Sequence, residues 1–108
     1  MTDENQGLGR ESRRGWTQLH FAADEQDAVA VGSLLAAGAE VDAPDGQGNT
    51  PLWQSVFTYR GDGAVVSLLV EAGADPDGDN LHGVSPRRLA GWRMGSDVAV
   101  HLGDRRSS

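Results

Sequence analysis

The chain spells one short phrase twice. "GWTQLHFAA" covers residues 15–23 and "GNTPLWQSV" covers residues 48–56, each with Gly, any residue, Thr, then Leu two places on. A poorer third copy, "GVSPRRLAGW", begins at Gly83, with Ser85 in the place of the threonines and Pro86 in the place of Pro51. Thr17 and Thr50 are 33 residues apart, and Thr50 and Ser85 are 35 apart. The match extends downstream: "LLAAGAEVDAPDGQG" (34–48) and "LLVEAGADPDGDNLHG" (68–83) share their Gly38/Gly73 and Asp42/Asp77 positions. Self-similarity at a period near 33 is the mark of a stacked repeat. One such unit cannot bury its apolar face alone, and stacking makes the core continuous.

Each unit has a physical reading. Thr or Ser followed by Pro starts a helix, because the hydroxyl caps the first turn and Pro's missing N–H costs nothing at the first helical position. A short helix follows, with Leu19, Ala22 and Ala23 as a small apolar face in the first unit. The polar break "DEQD" leads into a second helix over about Val29–Ala37, with Val31, Leu34 and Leu35 as its stripe. Gly38 is placed to end that helix in a left-handed C-cap, and "AEVDAPDGQG" suits an extended loop with a tight turn. The fifteen glycines, roughly twice the usual share, fit many tight turns between short elements.

These residues resemble the ankyrin-repeat family. The family pattern is roughly G-x-T-P-L-H-x-A-A, a helix pair, then L-L-x-x-G-A-D. Gly15, Thr17, Leu19, His20, Ala22 and Ala23 match it in the first unit, and Gly48, Thr50, Pro51, Leu52 and Ser55 in the second. The expected fold is therefore an all-α repeat, an ankyrin-like solenoid of about three helix-turn-helix units with connecting β-turn loops. The expected limits are a disordered arm over 1–14, a repeat domain over 15–102 (about 15–47, 48–82 and 83–102), and a frayed end over 103–108. The chain departs from the pattern at Gln18, where Pro is usual, and at Trp53, where His is usual. Two extra residues lie between the helices of the second unit, and Arg87 and Arg88 replace the usual Leu and His of the third. The arginines read as capping features, since terminal repeats face water. So few repeats sit near the stability limit for such stacks, and a thermal midpoint below about 80 °C is expected.

Composition excludes more than it assigns. With no cysteine, disulfides and Cys-based zinc sites are ruled out. No run approaches the roughly 18 apolar residues of a membrane span, and no apolar stretch of a secretory signal opens the chain; a cytoplasmic chain is expected. The net charge of −7 is uneven. Residues 24–79 hold eleven acids against Arg60 alone, net −10, whereas residues 80–108 hold two acids and five arginines, net +3. So acidic a middle repels phosphate backbones and disfavours nucleic acid, while it attracts a basic partner.

Catalytic sets are not found. His20, His82 and His101 are far apart in sequence, and no cluster has zinc-ligand spacing. Asp75, Asp77 and Asp79 alternate as in a calcium loop, but Asn80 and Pro86 stand where that loop needs Gly and Glu. "GQGNT" (46–50) lacks the Lys and the spacing of a phosphate loop. No cofactor and no metal is expected, and the chain does not read as an enzyme.

The resemblance implies a binding module. The family's variable contact positions fall on Trp16, Asp24 and Glu25 in the first unit, on Gly46, Gln47, Asn49, Phe57 and Thr58 in the second, and on Leu81, His82, Val84, Trp92 and Arg93 in the third. Tyr59 and Arg60, in the insertion, are expected to project as a small finger. Trp16 stands out, because a turn tip has no evident structural need for an indole; its alternative is packing against the arm or the neighbouring turn. Trp53, in place of a buried-type histidine, is expected in the core or at its margin. His20 is expected to bond between neighbouring turns. The partner implied is a basic protein held on the concave face, with no nucleic acid, no membrane, and self-association left open. Narrower alternatives are a bacterial immunity protein that neutralises a basic toxin such as a nuclease, and an accessory or scaffold subunit of an enzyme.

Overall fold

A computed structural model describes residues 13–92 and 97–102. Among these residues the regular structure is entirely helical: α1 (Gln18–Asp24), α2 (Ala28–Ala36), α3 (Pro51–Phe57), α4 (Ala64–Glu71), α5 (Pro86–Gly91) and a 3-10 helix over Val98–Leu102. The all-α repeat expected from the sequence is what forms.

The starts of the first helices follow from the repeated phrase. Thr17, Thr50 and Ser85 are the N-caps of α1, α3 and α5, each in extended conformation, and each hydroxyl accepts from the backbone N–H three residues on. Pro51 and Pro86 open their helices in the position where proline costs no hydrogen bond. The second helices end as the glycines foretell. Gly38 and Gly73 hold φ of +94° and +102°. Their N–H groups bond Leu35 and Val70, and the next residues' N–H groups bond Leu34 and Leu69, the paired bonds of a Schellman cap.

α1 ends in the same motif without a glycine. Gln26 takes φ +57°, with Gln26 N bonded to Ala23 O and Asp27 N to Ala22 O. A left-handed non-glycine residue costs about 1–2 kcal/mol. Its side chain offsets that cost: Nε2 donates to Ser55 O at 2.8 Å and to Thr58 Oγ1 at 3.1 Å, both in the next unit.

The helices pack in two rows. α1 lies against α3 and α3 against α5; behind them α2 lies against α4 and α4 against the 3-10 helix. The core runs between the rows through Leu19, Val31, Leu52, Val56, Val66, Leu69 and Leu89. Ala22, Ala23, Ser55 and Ala90 are small buried residues of the inner row. Ser55 satisfies its hydroxyl within its own helix, bonding Leu52 O at 2.8 Å.

One limit differs from expectation. Arg13 and Arg14, assigned to the arm, form part of the first turn, and Gly46 N bonds Arg14 O at 2.7 Å. The third unit closes with the 3-10 helix, which buries Val98 and Leu102. The rest of the arm and residues 103–108 lie outside the described residues.

Candidate functional site

The turn tips are built alike and stacked. Asp45 bonds Asn49 O through its own N–H, and its Oδ1 accepts from the N–H groups of Gln47 and Asn49 at 2.9 and 2.8 Å. Asn80 repeats this one unit on, bonding Val84 O and accepting from the N–H groups of His82 and Val84. Neighbouring tips are joined by Gly46 N to Arg14 O and by Leu81 N to Gln47 O. Gly48 holds φ +80°, and a Cβ there would lie 2.8 Å from Leu81 N, so the tips approach too closely for any larger residue.

Trp16, expected as a contact residue with packing against the neighbouring turn as its alternative, makes that packing. Its Nε1 donates to Asp45 Oδ2 at 3.0 Å, its ring stacks on His20, and Phe21 meets it edge-on at 4.8 Å. Arg13 lies over both rings. Asp45 is buried and acidic yet fully engaged by these donors. Sequence reasoning missed it; its only signal was a position shared with Asn80.

His20 links turns as expected. Thr17 N donates to His20 Nδ1 at 3.0 Å, so that nitrogen carries a lone pair, and the proton on Nε2 goes to Asn49 O at 2.8 Å. Trp53, the counterpart one unit on, is half-buried and stacks on Phe57 with centroids 5.5 Å apart. Its shielded Nε1 meets no acceptor among the described residues.

Of the expected contact residues, the structure gathers Asp24, Glu25, Phe57, Thr58 and Trp92 at the carboxyl ends of α1, α3 and α5. Phe57 is 53% exposed, Trp92 61% and Leu81, on the third tip, 75%. Asp24 Oδ1 accepts from Gln54 Nε2 at 2.9 Å, while Glu25 is exposed. Gln47, Asn49 and His82 sit on the tips; Gln47 Oε1 and His82 Nε2 are 3.2 Å apart, and Asn80 Nδ2 donates to Asn49 Oδ1. Between the tips, Arg14, Gly46, Gln47, Leu81 and His82 line a shallow groove of about 370 Å³. Arg93 lies outside the described residues.

Tyr59 is a correction. It is 5% exposed and part of the core, not a finger. Its hydroxyl bonds Asp97 and lies 3.3 Å from His101 Nε2. The hydrogen bond to Asp97, burial and the charges of Asp97 and Asp62 push its pKa up to about 12. His101 packs directly over Gly63, where a side chain would collide with its ring. The insertion thus receives the C-terminal 3-10 helix, leaving only Arg60 of the pair exposed. Burial also raises the Asp42 pKa, opposed by a bond from Asp75 N and reinforced by the charges of Asp75 and Glu40.

Asp75, Asp77 and Asp79 do not converge on a cation site. Asp75 Oδ1 accepts from Asp77 N, and Asp77 pairs with Arg87 at 2.8 Å. Among the described residues no three metal-ligating side chains cluster, and no helix is long and apolar enough to cross a membrane.

The sequence model described as "Ankyrin repeat" matches residues 47–81, which take in the second tip, α3, α4 and the following loop. The chain is an ankyrin-repeat protein. It is 42% identical over 70 residues, 64% of its length, to "Potassium channel AKT3" of Oryza sativa subsp. japonica. It is 36% identical over 73 residues, 67% of its length, to "Nuclear factor NF-kappa-B p105 subunit" of Gallus gallus. The matched segments are 8% and 7% of those much longer proteins. Ankyrin repeats generally serve as non-catalytic modules for contact between proteins.

Proposed function

We propose that this ankyrin-repeat chain is a non-catalytic protein-binding module that takes a basic protein partner on its concave face. That face comprises the turn tips and the carboxyl ends of α1, α3 and α5. The observation that carries the reading is the exposure of Phe57 and Trp92 at the carboxyl ends of α3 and α5 and of Leu81 on the third tip, with the carboxylates of Asp24 and Glu25 at the end of α1. Exposed aromatic groups beside polar ones supply anchors of the kind that dominate binding energy. The net charge of −10 over residues 24–79 supports a basic partner by steering it in and disfavours nucleic acid. A cytoplasmic location belongs to the same reading, supported by the absence of cysteine.

Photo-crosslinking in the native cell tests it. A photoreactive side chain in place of Leu81 or Trp92 should trap one protein in a salt-sensitive manner. The same group in place of Val29, exposed on the outer row, should not trap it. Equal trapping from both faces, or none from either, would overturn the reading.

A further inference from the structure

The repeat supplies its own measure of what each face should bury. In the second and third units the leading face is covered by the unit before, since α1 lies against α3, α2 against α4 and α3 against α5. Beside the caps of those units stand Pro51 and Pro86, both fully buried. Four places beyond the same caps stand Gln54, 7% exposed, and Leu89, 9%. In α4, counting back from Gly73, Leu69 and Val65 are buried, as is Ala74 just after the glycine. The matching positions of the first unit are left open. Gln18 is exposed, Phe21 is 39% exposed, and Ala30, Leu34 and Ala39 are half-buried.

A stack end of this kind needs a cover, because terminal units stay soluble by turning a polar face to water. Here Leu19, Leu34, Ala39 and Ala43 line a groove of about 270 Å³, with Gln18 and the exposed Glu40 also in its wall. The groove has room for one aliphatic side chain, and it sets a carboxylate beside that chain. The polypeptide itself leads there. Trp16 N bonds Arg13 O at 3.0 Å, so the first turn folds back on itself. The Arg13 guanidinium lies 5.7 Å from the centre of the Phe21 ring and so begins to roof this face. Before Arg13 comes "MTDENQGLGRES", residues 1–12, whose large apolar side chains are Met1 and Leu8. Leu8 stands between Gly7 and Gly9, and Arg10 follows two places on. Five residues carry the chain from Arg13 to Leu8, a reach of roughly 16–18 Å, and the lining of the groove begins at Thr17, four residues after Arg13.

We propose that residues 1–12 are the cover. The segment crosses the leading face of the first unit, with Leu8 in the groove beside Leu34 and Ala39 and the Arg10 guanidinium on Glu40. Glycine on either side of Leu8 lets the backbone come close to the surface. Arg10 is the one basic side chain of the segment, and Glu40 is the one charged residue among the described lining, so the pair matches in sign. Asp3 and Glu4 fall beyond the anchor, and Glu11 falls beside Arg13 and Arg14. A second copy fits the face less well. Leading face on leading face would set Glu40 against Glu40, and the other end of the stack is closed by the 3-10 helix. With residues 1–12 in place, the stack is closed at both ends, and the turn tips and inner helix ends, a different face, are left to a partner.

An aliphatic diazirine side chain in place of Leu8, in the full chain, tests the cover. Photolysis should join position 8 to the first unit, at the groove, and the same group at position 3 should not react there. Mixing heavy- and light-isotope chains separates, by mass, a link within one chain from a link between two. Independently, Leu8→Ser should lower the thermal midpoint by about 4–8 °C. In a Leu34→Ala background, which takes away the contact, Leu8→Ser should lower it little further. Links between chains would make a second copy the occupant and overturn the proposal. So would links scattered beyond the first unit, no link at all, or a midpoint indifferent to Leu8→Ser.

Discussion

Alanine at Gly48 and at Gly83 separates backbone strain from stacking. The two glycines hold nearly the same conformation, φ +80° and +77°. A Cβ at either pays the same left-handed penalty, about 1–2 kcal/mol. Their surroundings differ. At Gly83 nothing lies within 4 Å of the added carbon, whereas at Gly48 it would lie 2.8 Å from Leu81 N and 3.1 Å from Leu81 Cγ. Ordinary contact begins at 3.4 Å, so the third tip must retreat by 3.4 − 2.8 Å, or 0.6 Å. The Leu81 N to Gln47 O bond, now 3.0 Å, would then exceed a useful length, at a net cost of about 0.5–1.5 kcal/mol. Lost packing along Leu81 adds to it. Gly83→Ala should therefore cost about 1–2 kcal/mol, and Gly48→Ala about 1 kcal/mol more. Gly15→Ala should resemble Gly48→Ala, since its added carbon would lie 2.8 Å from Gly46 N. Urea unfolding followed by far-ultraviolet circular dichroism measures the differences, with unchanged slopes showing that only stability has moved. Equal losses at Gly48 and Gly83 would refute the argument that the tips are held by close backbone contact.

Four other outcomes follow. Gln26→Ala keeps the strained φ and loses two bonds into the second unit, so it should destabilise by about 1–3 kcal/mol, and Gln26→Gly, which relieves the strain, by about 1 kcal/mol less; chemical denaturation checks the order. Asp45→Ala should cost about 2–4 kcal/mol by orphaning three donors, while Asp45→Asn, which keeps the oxygen for Gln47 and Asn49 as Asn80 does but turns an amide NH2 toward Trp16 Nε1, should cost less than the alanine. Tyr59, with its pKa raised from 10.0 to about 12, lends stability that is complete below pH 10 and lost as the pH rises from 10 to 12; the ultraviolet absorbance of tyrosinate in the folded chain should follow the higher value. Asp42 also has a raised pKa, so its ionised form weighs against the fold; Asp42→Asn should raise the thermal midpoint at neutral pH, with the gain vanishing as the pH falls through the carboxylate range.

What the sequence made legible was the local chemistry that repeats. Caps at Thr17, Thr50 and Ser85 and glycines at 38 and 73 could be read because each is stated by residue type at a fixed offset, while the bridging role of His20 came from the family resemblance. What escaped is chemistry made across distance. Tyr59 belongs with Asp97, 38 residues away, and only folding brings the insertion to the C-terminal helix. Trp16 and Asp45 are a pair 29 residues apart, so the sequence offered packing on the neighbouring turn for Trp16 without naming its acceptor. Gln26 is hidden for a different reason: at the end of a helix where glycine is usual, a glutamine gives no sign that its side chain holds the neighbouring unit. The exposure of Phe57 and Trp92 fits the contact positions that the resemblance implied, but the buried amide that bonds Asp24 was not foreseen.

The two joints of the stack are not alike. The first is tied through Trp16, His20, Gln26 and Gln54, all reaching across to the neighbouring unit. At the second, Trp53 Nε1 meets no acceptor among the described residues, and the ties run instead from Tyr59 to Asp97 and between the second and third tips. The third unit, a six-residue helix closed by the 3-10 helix, should breathe before the others. Amide protons of α5 should exchange with solvent through excursions that leave α1 and α3 protected. Trp92 rides on that looser unit, so a partner gripping it would slow this exchange far from most of its own contacts, and the chain would report occupancy as a stiffening of its end.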